Sequence, residues 1–403
     1  MITVTQATQI LREHSTDWGT EQVPLHQATG RILAEKLFAD TDLPPFHRVM
    51  MDGIAIRWED LNAYDSFKIV GICSAGLQQQ FSPKEGECVE IMTGAALPES
   101  FDTVVPYEHI QIANDVAKIE TRPTKQFQNI HLKGTDFKEG AELALQNKKI
   151  NAAIIGIAAS IGKQTLLVKK LPRIIIISTG DELVSIDKTP LPGQIRQSNA
   201  WALLSLLQSI GLNAEIAHLP DELEAVISQL EMHQKNNDII LMSGGVSKGK
   251  FDYIARALEQ LNCKTLFHRI AQKPGKPMLF GKLNDTFIFG FPGNPVSTLV
   301  CACKYFTPWL QTTLGNASAT PQAILQNDVT IKSNLTFFLP VIIQLKDGNL
   351  LAHPAPNNGS GDFASLAAMD AWLEIPENSK EIKKGFIGHL IPLNPLQQHY
   401  TPY

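Results

Sequence analysis

Along the chain the spacing of apolar residues changes character, and each change predicts a different kind of structure. The first residues predict a helix over 5–13 and a second helix near 25–37, which ends before the Pro44-Pro45 pair. Over 51–137, short apolar runs alternate with glycine, proline and asparagine, as is typical of β-strands joined by turns. A further helix is predicted over 152–161.

From Arg173 onward, strongly apolar runs alternate with amphipathic stretches. Strands are predicted at 173–178, 214–218, 238–243 and 264–268, a hairpin within 278–290, and helices at 198–210, 222–233, 252–261 and 295–310. Strands alternating with helices of this length favour an α/β domain with a mostly parallel sheet covered on both faces. A polar stretch at 312–322 then indicates a linker, and the remaining apolar runs predict a small β domain.

Three turns that contain glycine each follow a predicted strand of the α/β part: 178–182, 243–247 and 291–295. The carboxyl ends of parallel strands meet at one edge of a sheet, where ligands of such folds bind. A glycine backbone can approach a phosphate closely, and the helix behind it offers free N–H groups. One such turn would be ordinary, but three at one edge predict an anion site. Neither a Walker A loop nor the G-x-G-x-x-G dinucleotide motif occurs.

Two kinds of charge flank the same predicted edge. Lys273 and Lys276 lie in a Lys-Pro-Gly-Lys-Pro segment, and its prolines favour preorganised cations over a merely solvated loop. Carboxylates also follow the strands, and beside phosphates they predict a hard divalent cation such as Mg²⁺. For two of them, Asp221 and Asp252, capping of the following helix is the alternative.

Composition narrows the class of protein. The 403 residues are 44% hydrophobic and 19% charged with a net charge of −5, which is typical of a globular protein. This balance argues against nucleic-acid binding driven by overall charge and against a polybasic membrane anchor. No signal peptide or bilayer-spanning run is recognisable, and the five scattered cysteines suggest reduced thiols, so we expect a cytoplasmic protein.

Taken together, these segments resemble the MoeA/gephyrin E-domain family. The resemblance rests on motifs in the family's order along nearly the whole chain: Met51-Asp52-Gly53, Ile91-Met92-Thr93-Gly94-Ala95, Gly134-Thr135-Asp136, Ser178-Thr179-Gly180-Asp181-Glu182, Ser198-Asn199, Ser243-Gly244-Gly245-Val246-Ser247, Lys273-Pro274-Gly275-Lys276-Pro277, Pro292-Gly293-Asn294-Pro295-Val296-Ser297 and Asn358-Gly359-Ser360-Gly361. The motifs at 243–247, 273–277 and 292–297 are the most specific, and the match at 358–361 is looser.

The resemblance implies a multi-domain α/β architecture. It predicts a discontinuous N-terminal dimerisation domain (1–45 with 139–170), a β-rich inserted domain (46–138), a three-layer α/β molybdopterin-binding domain (171–315) and a C-terminal β-barrel (316–403). Members form homodimers whose site includes residues of both chains. They insert molybdate into adenylylated molybdopterin, with Mg²⁺-dependent release of AMP. A molybdopterin adenylyltransferase and acceptor molybdoenzymes are the further partners implied, without nucleic acid or membrane.

Matching positions carry the family's roles onto this sequence. The resemblance implies that the catalytic residues are Asp252, Glu182, Asp52 and Asp136, with Glu182 and Asp252 as metal ligands and with Asp52 and Asp136 acting from the partner chain. With the turns and charges above, it implies that the substrate-binding residues are Thr93, Asp221, Gly244, Gly245, Ser247, Lys273, Lys276, Pro277, Pro292, Asn294, Pro295, Ser297 and Ser365.

The sequence also departs from the family pattern at six places: Val49, His131, Gln197, Pro220, Lys248 and Lys250. Two alternatives to the enzyme therefore stay open. One is a molybdopterin-binding or scaffolding protein of the same fold without turnover. The other is a nucleotide-processing enzyme that shares only the α/β domain, although the motifs outside that domain argue against it.

Overall fold

The computed structural model describes residues 1–76, 79–245, 253–316, 319–356, 359 and 361–393. The chain forms two compact units, which are described separately below. The smaller unit contains Pro24–Gln27 and Glu35–Leu166. The larger unit contains Met1–Val23, Ala28–Ala34 and the described chain from Leu167 onward.

The smaller unit is built on a six-stranded sheet. In sheet order its strands are Thr103–Pro106, Gly53–Ile56, Glu87–Ile91, Ser66–Cys73, Val116–Ile119 and Ile110–Ala113. All neighbours are antiparallel except the central pair, Ser66–Cys73 with Glu87–Ile91. Alternate side chains reach opposite faces, so Ile54 and Ile56 enter one apolar cluster and Ala55 enters another. The β-rich segment predicted over 51–137 is confirmed.

Shorter elements complete this unit. Two short antiparallel pairs join Arg48–Val49 to Ile130–His131 and Leu37–Phe38 to Glu142–Ala144. The helix Ala152–Ser160 is capped by Asn151, whose side chain accepts a hydrogen bond from the Ile154 N–H at 3.0 Å. Single turns of 3₁₀ helix occupy Leu25–Gln27, Trp58–Asn62 and Tyr107–His109.

The helix predicted near 25–37 is wrong. The chain instead forms a strand at Thr20–Pro24 and a 3₁₀ turn at Leu25–Gln27. Beyond Gly30, whose φ is +82°, the Ala34 N–H donates to the carbonyl oxygen of Leu167 at 2.9 Å. Pairing with a segment distant in sequence thus occupies backbone groups that a helix would use locally, and the glycine permits the turn between them.

The larger unit contains a second six-stranded sheet. In order, its strands are Glu215–Leu219, Ile174–Thr179, Ile239–Ser243, Thr286–Phe291, Leu279–Leu283 and Lys264–His268. The first four are parallel and the last two are antiparallel additions, and Leu279–Leu283 forms the predicted hairpin with Thr286–Phe291. An accessory parallel pair joins Leu183–Val184 to Ile195–Arg196. The predicted mostly parallel sheet is confirmed.

Helices cover both faces of this sheet. Ile174 and Ile176 pack into a cluster with Val4–Glu13 and Asn199–Ser209, whereas Ile175 and Ile177 pack against Leu223–Asn236 and Tyr253–Gln260. The four isoleucines are at most 4% exposed, which explains why this strand reads as a continuous apolar run.

One long helical run leads from the sheet toward the C-terminal part. It consists of α-helix at Pro295–Cys301, π-helix at Ala302–Phe306 and α-helix at Thr307–Thr313. In the π-helical part the Thr307 N–H donates to the carbonyl of Ala302, five residues earlier. Pro308 follows at once, and since it has no N–H to donate to residue 304, the wider turn accommodates it.

The C-terminal part is a closed five-stranded β-barrel. Its strands are Gln322–Leu325, Thr336–Lys346, Asn349–Pro354, Ala371–Ile375 and Ile387–Pro392. The long strand Thr336–Lys346 closes the barrel because it pairs with both Asn349–Pro354 and Ala371–Ile375. A short pair, Val329–Thr330 with Glu381–Ile382, and a 3₁₀ turn at Ala364–Ala368 accompany it, and Gln272–Lys273 pairs in parallel with the first residues of Thr336–Lys346. The predicted C-terminal barrel is confirmed.

Candidate substrate-binding site

A cavity of about 870 Å³ opens at the carboxyl ends of the parallel strands of the larger unit. All three glycine-bearing turns line it, through Thr179, Gly180, Gly244, Gly245, Pro292, Gly293 and Asn294. Its volume lies within the range typical of small-molecule sites in proteins. The three turns therefore meet at one edge of the sheet, as predicted from the order of strands and glycines, and this edge forms a cavity.

The turns approach one another too closely for side chains. At Gly244, which has a φ of +95°, a Cβ would lie 2.9 Å from the carbonyl oxygen of Thr179. At Gly245 it would lie 2.6 Å from a methyl carbon of Ile254. Glycine is required at both positions, and the bare backbone that results faces the cavity.

Asn199 joins two of the turns. Its Nδ2 donates to the hydroxyl of Ser243 at 2.8 Å and to the carbonyl oxygen of Gly293 at 2.7 Å. In the third turn, the hydroxyl of Thr298 donates to the carbonyl of Pro292 at 2.6 Å. Asn199 appeared in the sequence only as part of a motif, and the residue-by-residue reasoning assigned it no role. Its position at the start of an amphipathic helix was the available signal.

The third turn leads directly into the long helical run. Asn294 is the residue before the helix and Pro295 is its first residue. Ser297 lines the cavity with Val296, whereas Pro295 is not among the lining residues. The N–H groups of this first helical turn carry the positive end of the helix dipole.

The positive charge of the cavity comes from the Lys-Pro-Gly-Lys-Pro segment. Lys273, Lys276 and Pro277 all line it, and both lysines are exposed. Neither ammonium group forms an ion pair with any residue in the described ranges. Uncompensated lysines beside bare backbone are suited to an anionic ligand.

Two carboxylates also line the cavity, one at the end of the first turn and one just after the strand Glu215–Leu219. Glu182 and Asp221 line the cavity, and the Asp221 N–H donates to Asp181 Oδ1 at 3.2 Å. Burial, and then the negative charges of Asp181 and Glu182, raise the pKa of Asp221 above its usual value. The alternative role of Asp221 as a helix cap is wrong, because Glu222 occupies the capping position and its side chain makes no capping bond.

These carboxylates bear on the predicted Mg²⁺. Within the described ranges, no group of three or more histidine, cysteine, aspartate or glutamate residues is arranged to hold a metal ion. Glu182 and Asp221 nevertheless present oxygen ligands to one cavity, and their mutual repulsion is what a bound cation would relieve. The pair therefore offers two of the oxygen ligands that a Mg²⁺ ion would need.

Two predicted residues, Ser247 and Asp252, lie outside the described residues, as do Lys248 and Lys250. Ser365 is described, but it is not among the residues lining the cavity. Its hydroxyl donates to the carbonyl of Asp362 at 2.9 Å at the start of the barrel's 3₁₀ turn. The barrel instead contributes apolar lining that the sequence reasoning missed: Leu335, Phe337, Phe338 and Pro340.

The remaining predicted residues belong to the smaller unit. One oxygen of Asp52 accepts hydrogen bonds from both the hydroxyl and the N–H of Thr93, each at 2.6 Å. These bonds lower the pKa of Asp52, with the hydroxyl contributing most, so the carboxyl is ionised at neutral pH. Thr93 thus orients Asp52. The sequence does not reveal this contact, because the two residues lie about forty positions apart.

Asp136 lies in a second group of the smaller unit. Its Oδ1 is 2.8 Å from His131 Nε2, and His131 Nδ1 is 3.1 Å from a guanidinium nitrogen of Arg48. Because a guanidinium can only donate, the histidine accepts at Nδ1 and donates from Nε2 to Asp136. Arg48 and Asp136 line a cavity of about 610 Å³ with Leu43, Pro44, Pro45 and Phe137. Sequence reasoning noted His131 as a departure but did not connect it with Asp136.

The fold and cavity define a multi-domain α/β protein that ends in a β-barrel and has a lysine-bearing pocket at the edge of its parallel sheet. Three family models match the chain: "MoeA N-terminal region (domain I and II)" over residues 2–162, "Probable molybdopterin binding domain" over 175–312 and "MoeA C-terminal region (domain IV)" over 322–387. The chain belongs to the MoeA family.

Similar proteins agree with this assignment. A molybdopterin molybdenumtransferase from Synechocystis sp. is 39% identical over 391 residues, which cover 96% of this chain and 98% of that protein. The enzyme of the same name from Bacillus subtilis is 30% identical over 91% of this chain and 88% of its own. A molybdopterin biosynthesis MoeA protein from Pyrococcus horikosii matches with a TM-score of 0.83 and 28% identity, covering 98% of this chain and 100% of its own. The predicted family and the predicted transferase class are confirmed.

No helix in the described part of the chain combines the length and apolar character needed to cross a membrane.

Proposed function

We propose that this chain inserts molybdate into adenylylated molybdopterin, with Mg²⁺-dependent release of AMP. The observation that carries the proposal is the cavity that combines three glycine turns, two lysines without ion pairs among the described residues, and two carboxylates. Similar proteins carry the name molybdopterin molybdenumtransferase, which supports the molybdenum transfer in this proposal. Molybdopterin, molybdate and the nucleotide are therefore the ligands that the cavity is proposed to hold.

The chemistry of the substrates suits the cavity. Molybdate is a dianion, and the adenylate is joined to molybdopterin through a pyrophosphate, so both ligands require cations and N–H donors. Lys273 and Lys276 supply the cations, while Gly244, Gly245 and Gly293 expose backbone. Apolar walls from Phe337 and Phe338 suit a planar pterin ring.

Release of AMP requires cleavage of one P–O bond of the pyrophosphate. Water attacks phosphorus, its proton passes to a carboxylate, and AMP departs with the bonding electron pair. Glu182 and Asp252 are the proposed carboxylates, and both lysines stabilise the charge that develops on phosphate oxygens. A Mg²⁺ ion held by Glu182 and Asp252, with Asp221 as a further oxygen ligand in the same cavity, would neutralise phosphate charge.

Asp52, Thr93 and Asp136 are proposed to act from the second subunit of a homodimer. Their hydrogen bonds fit that role, because Asp52 is oriented by Thr93 and Asp136 by His131. The four-domain division, Ser247 and Ser365 as substrate contacts, and a cytoplasmic location remain part of the proposal. So do a molybdopterin adenylyltransferase upstream and acceptor molybdoenzymes downstream.

The test is a turnover assay of the purified protein with adenylylated molybdopterin, molybdate and Mg²⁺, scored for AMP. We expect Glu182→Gln to lower AMP release by about a hundredfold or more, as for loss of a catalytic acid or base, while substrate still binds. The matched control is Asp285→Asn, because Asp285 is fully exposed at a hairpin turn and should leave turnover unchanged. Wild-type protein that binds the substrate but never releases AMP would establish the scaffolding alternative instead.

A further inference from the structure

A buried amide lies directly beneath the loop that carries the two cavity lysines. Gln272 is 0% exposed and immediately precedes Lys273. Its Nε2 donates to the carbonyl oxygens of Pro274 at 3.1 Å and Gly275 at 3.2 Å. A side chain thus holds the backbone of residues 273–277 from below, at the point where the loop turns.

The loop is shaped closely around this amide. Gly275 has a φ of +87°, and a Cβ there would lie 2.7 Å from Gln272 Nε2 and 2.5 Å from Cys301 Sγ. The sulfur also lies 3.4 Å from Nε2 and 3.5 Å from the carbonyl oxygen of Gly275. Two carbonyl oxygens facing Nε2 leave the amide only one orientation, in which Oε1 points away from the loop.

Tyr305 satisfies that remaining oxygen. Its hydroxyl donates to Gln272 Oε1, and its side chain is 1% exposed. Burial raises the pKa of Tyr305 well above its usual value, so the phenol keeps the proton that it donates. The amide of Gln272 therefore has partners at both ends, and its position is set by Tyr305 on one side and by the loop on the other.

The π-helical segment brings Tyr305 to this place and fastens it to the barrel. Cys301 and Tyr305 both contact Gln272, whereas Cys303 and Lys304 contact the C-terminal part. Lys304 Nζ lies 2.6 Å from Glu374 Oε2 on a barrel strand, and Cys303 Sγ is 3.8 Å from the carbonyl of Leu393. Both partners of the Lys304–Glu374 pair are less than 20% exposed. The segment that carries Tyr305 is thereby attached to the C-terminal part at two points, while Tyr305 itself contacts Gln272.

We propose that Tyr305 is a positioning residue for substrate binding. Acting through Gln272, it sets the shape of the 273–277 loop and so the placement of Lys273 and Lys276 in the cavity. Tyr305 does not line this cavity itself, so its influence passes entirely through the buried amide. The consequence for substrate affinity rests on the proposed function, whereas the consequence for the loop does not.

The first test measures the loop itself by hydrogen–deuterium exchange of peptides spanning residues 270–278. Tyr305→Phe removes only the hydroxyl and leaves Gln272 Oε1 buried without its donor. We expect exchange in these peptides to rise about tenfold, as for the loss of one buried hydrogen bond. The control is Thr313→Val on the same helical run, since its buried hydroxyl has no hydrogen-bond partner among the described residues. Unchanged exchange in Tyr305→Phe, or an equal rise in both variants, would overturn the proposal.

A double-variant cycle tests whether Tyr305 acts through Gln272. Gln272→Met keeps the length of the side chain and removes every amide contact with the loop. Adding Tyr305→Phe to it should raise exchange no further, because the hydroxyl has already lost its acceptor. Effects that simply multiply in the double variant would show that the two residues act independently.

The second test measures affinity separately from turnover. For Tyr305→Phe we expect a KM for adenylylated molybdopterin about tenfold above that of wild type, with AMP release at saturation nearly unchanged. A lowered kcat at constant KM would contradict a positioning role in binding. If the wild-type protein neither binds nor turns over this substrate, the proposed function fails, and the exchange measurements still decide the role of Tyr305.

Discussion

We expect Gly275→Ala to lower both the free energy of unfolding and the affinity for substrate. Gly275 lies at the tip of the loop that carries the cavity lysines, and its φ of +87° is a left-handed conformation that alanine rarely adopts. The added methyl group would also overlap Gln272 Nε2 at 2.7 Å and Cys301 Sγ at 2.5 Å. Both neighbours are buried, so neither can move into solvent.

Two costs add up. Left-handed backbone costs alanine about 1–2 kcal/mol relative to glycine. The second cost is steric: displacing the Gln272 amide weakens its hydrogen bonds to Pro274 and Gly275 by about 1–2 kcal/mol together, and overpacking adds about 1 kcal/mol. The expected loss in the free energy of unfolding is therefore about 3–5 kcal/mol.

Gly211→Ala is the matched control. Gly211 has a φ of +82° just after helix Asn199–Ser209, but beyond its chain neighbours no described residue has an atom within 4 Å of the position that a Cβ would take. Only the backbone cost remains, about 1–2 kcal/mol. The difference between the two variants, about 2–3 kcal/mol, measures the contact with the buried amide.

The assay is urea unfolding followed by tryptophan fluorescence, which reports mainly on the larger unit because Trp18, Trp201, Trp309 and Trp372 all lie there. Substrate affinity is measured on the same samples, and we expect only Gly275→Ala to lower it. Equal losses of stability in the two variants would refute the reasoning, because they would mean that the loop can move off Gln272 without cost.

Three further predictions follow from the charges and thiols. The pKa of Asp221 is raised by burial and then by the negative charges of Asp181 and Glu182. Ionisation of Asp221 therefore destabilises the metal-free fold as the pH rises from the usual carboxyl range through that raised pKa. Asp221→Asn should therefore raise the melting temperature in metal-free buffer at pH 7, and an advantage that persisted at pH 3 would contradict this cause. Asp136→Asn should lower AMP release about a hundredfold at unchanged substrate affinity, whereas Asp65→Asn, at a surface ion pair with Arg122, should not. Burial raises the pKa of all five thiols, to about 11 for Cys263 and about 12 for Cys88 and Cys303. A disulfide reagent at pH 8 should therefore label the native protein slowly and the denatured protein fully. Rapid labelling of the native protein would contradict this burial.

Features with a local cause were predictable from the sequence. The run at Ile174–Thr179 is buried on both faces and therefore continuously apolar, and the turns at Gly244 and Gly293 follow strands whose order placed them at one edge. The lysines at 273 and 276 could be placed at that edge because prolines restrict their loop. These predictions needed only periodicity, backbone preference and the geometry of parallel sheets.

Features that depend on contacts between distant segments were not predictable. The error near 25–37 arose because Ala34 pairs with Leu167 instead of its own helical neighbours. Gln272 and Tyr305 lie thirty-three residues apart, and neither carries a charge or motif that marks it. The barrel residues that line the cavity, such as Phe337 and Phe338, look like ordinary strand residues. Only the tertiary structure reveals their roles.

The 273–277 loop is supported by the amide of Gln272 and the phenol of Tyr305, and both groups are neutral. A carboxylate in place of Gln272 would hold the loop less well, since it would face the carbonyl oxygens of Pro274 and Gly275 without a hydrogen to donate. It would also lie beneath two lysines and compensate part of their charge, while a buried anion would itself be costly. The neutral pair formed by Gln272 and Tyr305 fixes the backbone through hydrogen bonds alone. This support therefore places no negative charge beneath Lys273 and Lys276, and an anionic ligand in the cavity would not compete with one for them.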